Sequence, residues 1–235
     1  MDSSIQFIPY SRLFLALIPA LAVIGILHRW SVDGGNALYS LLRMVVQLLM
    51  VGYVLVYIFR TDNSWVVLTV LSVMVFASSW IALRTIRERR RALYIEAVIA
   101  TLGGGGATLV LVTQGVLSLD PWYFPRYFIP LAGMIFAGVM NSISLAAERL
   151  VAEIDKGSLF PEARSIALNA ALIPIINSLF AVGLVSLPGM MTGQILSGIS
   201  PLVAVNYQIL VMLMIFTAAG LSTVCFLVLV RSEFK

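Results

Sequence analysis

Apolar runs long enough to cross a lipid bilayer recur along this chain. Of its 235 residues 60% are hydrophobic and only 11% are charged, and the mean hydropathy is +1.01. An α-helix needs about 20 apolar residues to cross roughly 30 Å of hydrocarbon, and soluble domains rarely combine so many apolar residues with so few charges. We therefore predict an all-α, polytopic integral membrane protein with one transmembrane domain over residues 1–235.

Seven such runs are present, and lipid requires each to satisfy its own backbone hydrogen bonds as a helix. Their predicted limits are 7–27, 37–59, 65–83, 93–117, 126–146, 166–187 and 202–230. Of the fifteen Lys and Arg residues, only Arg12, Arg60 and Arg126 fall on one side of these spans. Because Lys and Arg are retained on the cytoplasmic side, we expect the N-terminus outside and the C-terminus in the cytoplasm.

An unusual turn separates the last two spans. The stretch from Gly183 to Leu196 contains Gly183, Pro188, Gly189 and Gly193 between two apolar segments. Backbone that breaks a helix at membrane depth is tolerated where it is buried in protein or lines a cavity. The stretch therefore predicts a pathway, with Gln194 among its oxygen donors.

Polar residues inside the spans also predict an inward face. Asn36, Ser40, Arg43 and Gln47 recur at helical spacing in the second span, and Glu96 lies at about the depth of Arg43 in the fourth. Such residues are costly in lipid unless they face the bundle, so an Arg43–Glu96 pair is one interpretation. Independent snorkelling of both side chains to the headgroups is the other. The remaining intramembrane polar candidates are Asn141 and Asn177.

A mixed-charge segment, residues 147–165, connects spans five and six. Its apolar residues Leu150, Val151 and Ile154 have helical spacing, which is typical of a stretch that docks a partner or lies on a membrane. Mixed charge favours a protein partner. The charged residues of the region are Glu148, Arg149, Glu153, Asp155, Lys156, Glu162 and Arg164.

The sequence lacks the motifs of several classes of enzyme and binding protein. The sequence has no GxxxxGK[ST] loop, and the run Gly103–Gly106 lies inside a span, where close helix packing or a hinge explains it better. The basic cluster of residues 84–91 joins two spans, so it does not indicate nucleic-acid binding. Cys225 is the one cysteine and His28 the one histidine. No nucleophile–base pair supports an enzyme.

The chain resembles the FetB-like family of ABC-transporter permeases, which includes bacterial iron export permeases and plant permeases linked to aluminium tolerance. The resemblance covers nearly the whole chain. It is carried by Arg43-x-x-x-Gln47-x-x-x-x-Gly52-Tyr53-x-Leu55, by Pro130-Leu131-Ala132-Gly133-Met134-Ile135 with Met140, and by Gly183 through Leu196 followed by Tyr207-Gln208-Ile209.

The resemblance implies a multi-pass permease subunit of the plasma (inner) membrane that exports metal ions or a related small solute. Such a subunit pairs with a second copy of itself and with a separate FetA-like ATPase. The partner then binds ATP, this chain needs no cofactor, and the 147–165 segment resembles the coupling element that contacts the ATPase.

Contact with a metal ion is predicted for four methionines. Thioethers are soft ligands, so the candidates are Met190, Met191, Met134 and Met140. The sequence departs from the family pattern at Asn177, Phe180 and Ser200, where many members carry charged residues; fewer carboxylates disfavour direct coordination of a hard cation. A proton-coupled secondary transporter that titrates Glu96 is the alternative function.

Cysteine labelling from outside the cell tests the predicted orientation. A cysteine at Ser118 should react with an impermeant thiol reagent and one at Glu88 should not, because the basic asymmetry places residues 84–91 inside. The reverse pattern would contradict the orientation.

Overall fold

The computed structural model describes residues 8–31 and 34–234, and this part of the chain is helical and contains no named strand. Residue 7, where the first predicted span begins, lies outside it. Seven of the described helices are long and apolar enough to cross a membrane, as predicted. They are α1 (Ser11–Arg29), α2 (Gly34–Ile58), α3 (Ser64–Thr85), α4 (Tyr94–Val116), α5 (Pro125–Asp155), α6 (Phe160–Ala181) and α8 (Pro201–Phe234), and the shorter α7 (Gly189–Leu196) precedes α8.

The helices group into two compact units. Of the described residues, the first unit comprises 8–31, 34–61 and 196–198 and contains α1 and α2; the second comprises 62–195 and 199–234. In the first unit α1 packs on α2, and the two border an apolar cavity of about 510 Å³. Arg43 and Gln47 are exposed on α2. The single transmembrane domain over residues 1–235 stays a prediction.

Helix α5 is the central helix of the second unit, in contact with α3, α4, α6 and α8. Its fully buried residues Ile135, Val139 and Ile143 recur at four-residue spacing, so they form one face. Hydroxyl groups add polar contacts between helices. Thr223 Oγ1 donates to Ser142 Oγ at 2.9 Å, and Ser142 Oγ donates to a backbone carbonyl of α6 at 3.3 Å. Such bonds join helices where no water competes.

The glycine run allows α4 to approach α8 closely, which agrees with the packing interpretation. The run lies in a π-helical stretch, Thr101–Gly106. A methyl group added at Gly104 would overlap the backbone nitrogen of Ser222 and lie 2.7 Å from its Cα. The same addition at Gly106 would meet nothing within 4 Å. Gly104 is therefore the position of the run at which the α8 backbone leaves no room for a side chain.

Helices α5 and α6 do not share the predicted limits of spans five and six. Helix α5 continues nine residues past 146 to Asp155, and α6 begins at Phe160 rather than 166. Charged residues mark the end of an apolar run in the sequence, but a helix can continue through them. Glu153 Oε1 accepts a hydrogen bond from Lys156 Nζ and forms an ion pair with Arg149 Nη2, both at 3.0 Å, and these pairs stabilise the last turns of α5. The 147–165 segment is thus a helical hairpin with a short bend.

Helix α6 also ends earlier than predicted, at Ala181 instead of 187. Gly183 has a φ of +81°, a backbone conformation that glycine adopts without strain. The turn then pairs its own backbone groups. The Val185 N–H donates to Ala181 O at 2.8 Å and the Gly183 N–H to Ser186 O at 3.0 Å. The break therefore satisfies its hydrogen bonds locally, and the predicted helix interruption is confirmed.

Alanine substitutions within the glycine run test the packing of α4 on α8. Gly104→Ala should lower stability, because an overpacked core position typically costs about 1–3 kcal/mol. The control Gly106→Ala meets open space and should be neutral or stabilising by up to about 1 kcal/mol, the usual helix-propensity gain. Thermal unfolding in detergent measures both. Equal melting temperatures for the two variants would contradict the packing.

Candidate functional site

Three cavities border the helices around the α6–α7 break. The first, the Asn141 cavity, has a volume of about 170 Å³ and lies among α5, α6 and α8. Its wall includes Asn141 and Ser142 from α5 and Pro174 and Ser178 from α6. Asn177 precedes Ser178 and is exposed. The structure therefore places one predicted polar residue, Asn141, at a cavity wall.

The second, the Tyr207 cavity, has a volume of about 300 Å³ and lies among α5, α7, α8 and Leu117, the residue that follows α4. Met134 of α5 and Met190 of α7 both line it. Arg126, Tyr127 and Tyr207 also line it. This cavity thus combines two thioethers with a guanidinium group and two phenol groups.

The third, the Gln208 cavity, has a volume of about 310 Å³ and lies among α6, α7, α8 and the turn after α6. Gly183 of the turn lines it, so the helix break does border a cavity, as predicted. Its other lining residues are apolar except Gln208, whose side chain is 5% exposed. Gln208 Oε1 is buried and has no hydrogen-bond partner in the described part of the chain.

The structure places three of the four candidate methionines in the walls of two cavities. Met134 and Met190 line the Tyr207 cavity, whereas Met191 lines the Gln208 cavity opposite Met212 of α8. Met140 is not among the residues that line either one. Sequence reasoning missed Met212 because it lies in a long apolar span with other methionines nearby. Its spacing of four residues from Gln208 is the signal that could have identified it.

Two other predicted polar residues each have one buried side-chain oxygen. Glu96 Oε2 and Gln194 Oε1 have no hydrogen-bond partner among residues 8–31 and 34–234. Those residues contain no group of three or more His, Cys, Asp or Glu side chains that could hold a metal ion. Arg43 and Glu96 belong to different units, so their pairing stays a prediction.

The hairpin end of the second unit gathers charged and aromatic groups. Arg89 Nη2 lies 4.0 Å from Asp155 Oδ1, and its guanidinium carbon lies 4.7 Å from the centre of the Phe234 ring. Arg90 donates through Nε and Nη2 to the Trp80 carbonyl at 3.0 and 2.6 Å and stacks 3.7 Å from the Trp80 ring centre. The basic loop, the hairpin and the C-terminal turn therefore form one surface.

Burial against this surface lowers the pKa of the Arg90 guanidinium, and the nearby positive charges of Arg84 and Arg87 lower that pKa further. Within the hairpin, the charged candidates have two different environments. Glu153 is buried in its pairs with Arg149 and Lys156. The exposed candidates are Glu148, Asp155, Lys156, Glu162 and Arg164.

Comparisons with known proteins cover most of the chain. Residues 10–160 and 158–234 match the model of the Uncharacterised protein family (UPF0014). The UPF0014 membrane protein slr1647 of Synechocystis is 39% identical over 81% of this chain and 79% of its own length. The Probable iron export permease protein FetB of Escherichia coli is 34% identical over 92% of this chain and 88% of its own.

Plant proteins match as well. The Arabidopsis thaliana Protein ALUMINUM SENSITIVE 3 is 35% identical over 81% of this chain and 74% of its own length. No solved structure matches significantly. The family match, the identities and the seven apolar helices agree with the resemblance noted from the sequence. The chain belongs to the UPF0014 family of multi-pass membrane proteins.

Proposed function

We propose that this chain is the permease subunit of an ABC transporter that exports metal ions across the plasma (inner) membrane. A separate cytoplasmic chain of the FetA kind binds and hydrolyses ATP, and two copies of the permease form the membrane part. The relative from Escherichia coli is named a probable iron export permease, which supports a transport role. The lack of a GxxxxGK[ST] loop in this sequence agrees with a partner that supplies the energy.

The α5–α6 hairpin is the observation that carries the proposal. Its bend is stabilised from within by Glu153, which accepts hydrogen bonds from Lys156 Nζ and pairs with Arg149. Beside the bend, the apolar side chain of Leu159 is 76% exposed. A rigid helical projection with an exposed apolar tip and charged flanks fits the groove of a partner protein.

The hairpin also connects directly to a cavity. Both of its helices continue into the wall of the Asn141 cavity, α5 through Asn141 and α6 through Pro174 and Ser178. Packed helices move as rigid bodies, so a displacement at the hairpin can change the cavity at the other end of the same helices. In this mechanism the partner's nucleotide-driven closure opens or closes a path beside α5 and α6.

Glu153 is a poor position for testing the docking, because reversing its charge would also break the bend. Leu159→Asp changes the exposed tip and leaves the pairs of Glu153 intact. Ser118→Asp is the matched control, because it adds the same charge at an exposed site near the other end of α5.

Affinity purification of a tagged chain from cells that also contain its ATPase tests the proposal. The purified complex should hydrolyse ATP, and Leu159→Asp should reduce the co-purifying activity about tenfold or more, as for loss of an interface contact of about 1.4 kcal/mol or more. Ser118→Asp should retain it. Purification of the folded permease without any ATP-hydrolysing chain would contradict the proposal.

A proton-coupled secondary transporter is the second candidate, because Glu96 Oε2 is buried without a partner in the described part of the chain. An ionisable residue in a span is a common proton carrier. Transport by this route would stop when a protonophore collapses the proton gradient and would be lost in Glu96→Gln. Transport by the ABC route would depend on ATP and would survive the protonophore.

A further inference from the structure

The unpaired carbonyl of Gln208 marks a site that the helix bundle leaves incomplete. The side chain is 5% exposed, and its Oε1 has no partner in the described residues. Nearly all buried polar side-chain atoms in proteins are hydrogen-bonded, so an exception calls for an explanation. Gln208 also lines a cavity of about 310 Å³, which is large enough to hold an ion beside this side chain.

Two thioether side chains line the same cavity. Met212 follows Gln208 by four residues on α8, so the two side chains lie on one face of the helix. Met191 reaches the cavity from α7. The Gly183 turn borders the same space, and it is the break after α6 that allows α7 to lie there as a separate helix. Two thioether side chains and one amide side chain therefore belong to residues that line a cavity whose other lining residues are apolar.

The sulfur and oxygen atoms of these side chains determine which class of metal ion the cavity would bind. Thioether sulfur prefers soft cations such as Cu⁺ and Ag⁺, whereas hard cations prefer several oxygen ligands, usually with carboxylates among them. The cost of moving an ion out of water rises with the square of its charge, so neutral donors in an apolar cavity suit a monovalent ion better than a divalent one.

The neighbouring Tyr207 cavity has a thioether pair but fits a cation less well. Met134 and Met190 line it, but so does Arg126, whose fixed positive charge repels a cation. The two consecutive methionines of α7 thus line different environments. Of the two, the Gln208 cavity has the unpaired acceptor and lacks a cationic residue among its lining residues.

We infer that the Gln208 cavity binds a soft monovalent cation, Cu⁺ or Ag⁺, through the sulfur atoms of Met191 and Met212 and the Oε1 of Gln208. The inference rests on the proposed function for its meaning, since it names the class of ion that the permease would carry. Binding itself requires neither ATP nor the partner chain, so it can be measured separately.

Titration of the purified chain in detergent with Ag⁺ tests the site, because Ag⁺ resists oxidation. With ¹³C-labelled methionine methyl groups, the Met191 and Met212 resonances should shift and the Met74 resonance should not. The double variant Met191→Leu/Met212→Leu should bind Ag⁺ at least about tenfold more weakly, as expected when two of three donors are removed. Met-to-Leu changes conserve volume, so the variants should fold.

Met74→Leu is the matched control. Met74 is partly buried, like Met191 and Met212, and its methyl group lies 3.5 Å from a Cβ built at Gly133, so it serves packing between α3 and α5. This variant should bind Ag⁺ as the parent does. Ag⁺ affinity that is unchanged in the double variant, or resonances that shift only outside this cavity, would overturn the inference.

Gln208→Leu separates a ligand role from a structural one. The change removes the oxygen that is proposed to bind Ag⁺, so it should weaken Ag⁺ binding. It also removes a buried polar atom that has no hydrogen-bond partner among the described residues, so it should raise the melting temperature of the ion-free protein. A variant that binds Ag⁺ like the parent would exclude Gln208 from the site. Failure of Ag⁺ binding beside successful co-purification of an ATPase would reject the soft-cation site and leave the permease proposal standing.

Discussion

Hydrocarbon offers the chain no hydrogen-bond partners, and the described structure follows from this constraint. Each long apolar run must be a helix, and each interruption must pair its own backbone groups. The turn after α6 does so through the carbonyls of Ala181 and Ser186. Between helices, the hydroxyls of Thr223 and Ser142 bond across the core. Against this background the side-chain oxygens of Gln208, Gln194 and Glu96 that have no partner among the described residues stand out as positions for ligands or protons.

Hydropathy predicted the seven helices because length and apolar composition are properties of the local sequence. The observed limits of α5 and α6 differ from the predicted span limits for a physical reason: hydropathy follows the apolar run, whereas the ion pairs of Glu153 with its basic neighbours support helical turns beyond that run. Close packing at the glycine run could be predicted as well. Which glycine packs tightest depends on the position of Ser222, more than a hundred residues further along the chain.

The candidate site was predictable only in part, since cavities form between helices that are distant in sequence. The broken segment was correctly expected to border a cavity, and Asn141 also lies at a cavity wall. The grouping of Met191 with Met212 and Gln208 requires the placement of α7 against α8. In the proposed mechanism, α6 links the two features, because one end forms the docking hairpin and the other leads into the break that borders the Gln208 cavity.

The reactivity of a single cysteine at Met191 tests most directly whether the broken segment belongs to an ATP-driven path. Cys225 is the one native cysteine, so Cys225→Ala provides the background. In membranes that contain the ATPase partner, we predict that the labelling rate of Met191→Cys by a water-soluble thiol reagent changes when ATP and vanadate are added. Equal rates with and without ATP and vanadate would contradict the account.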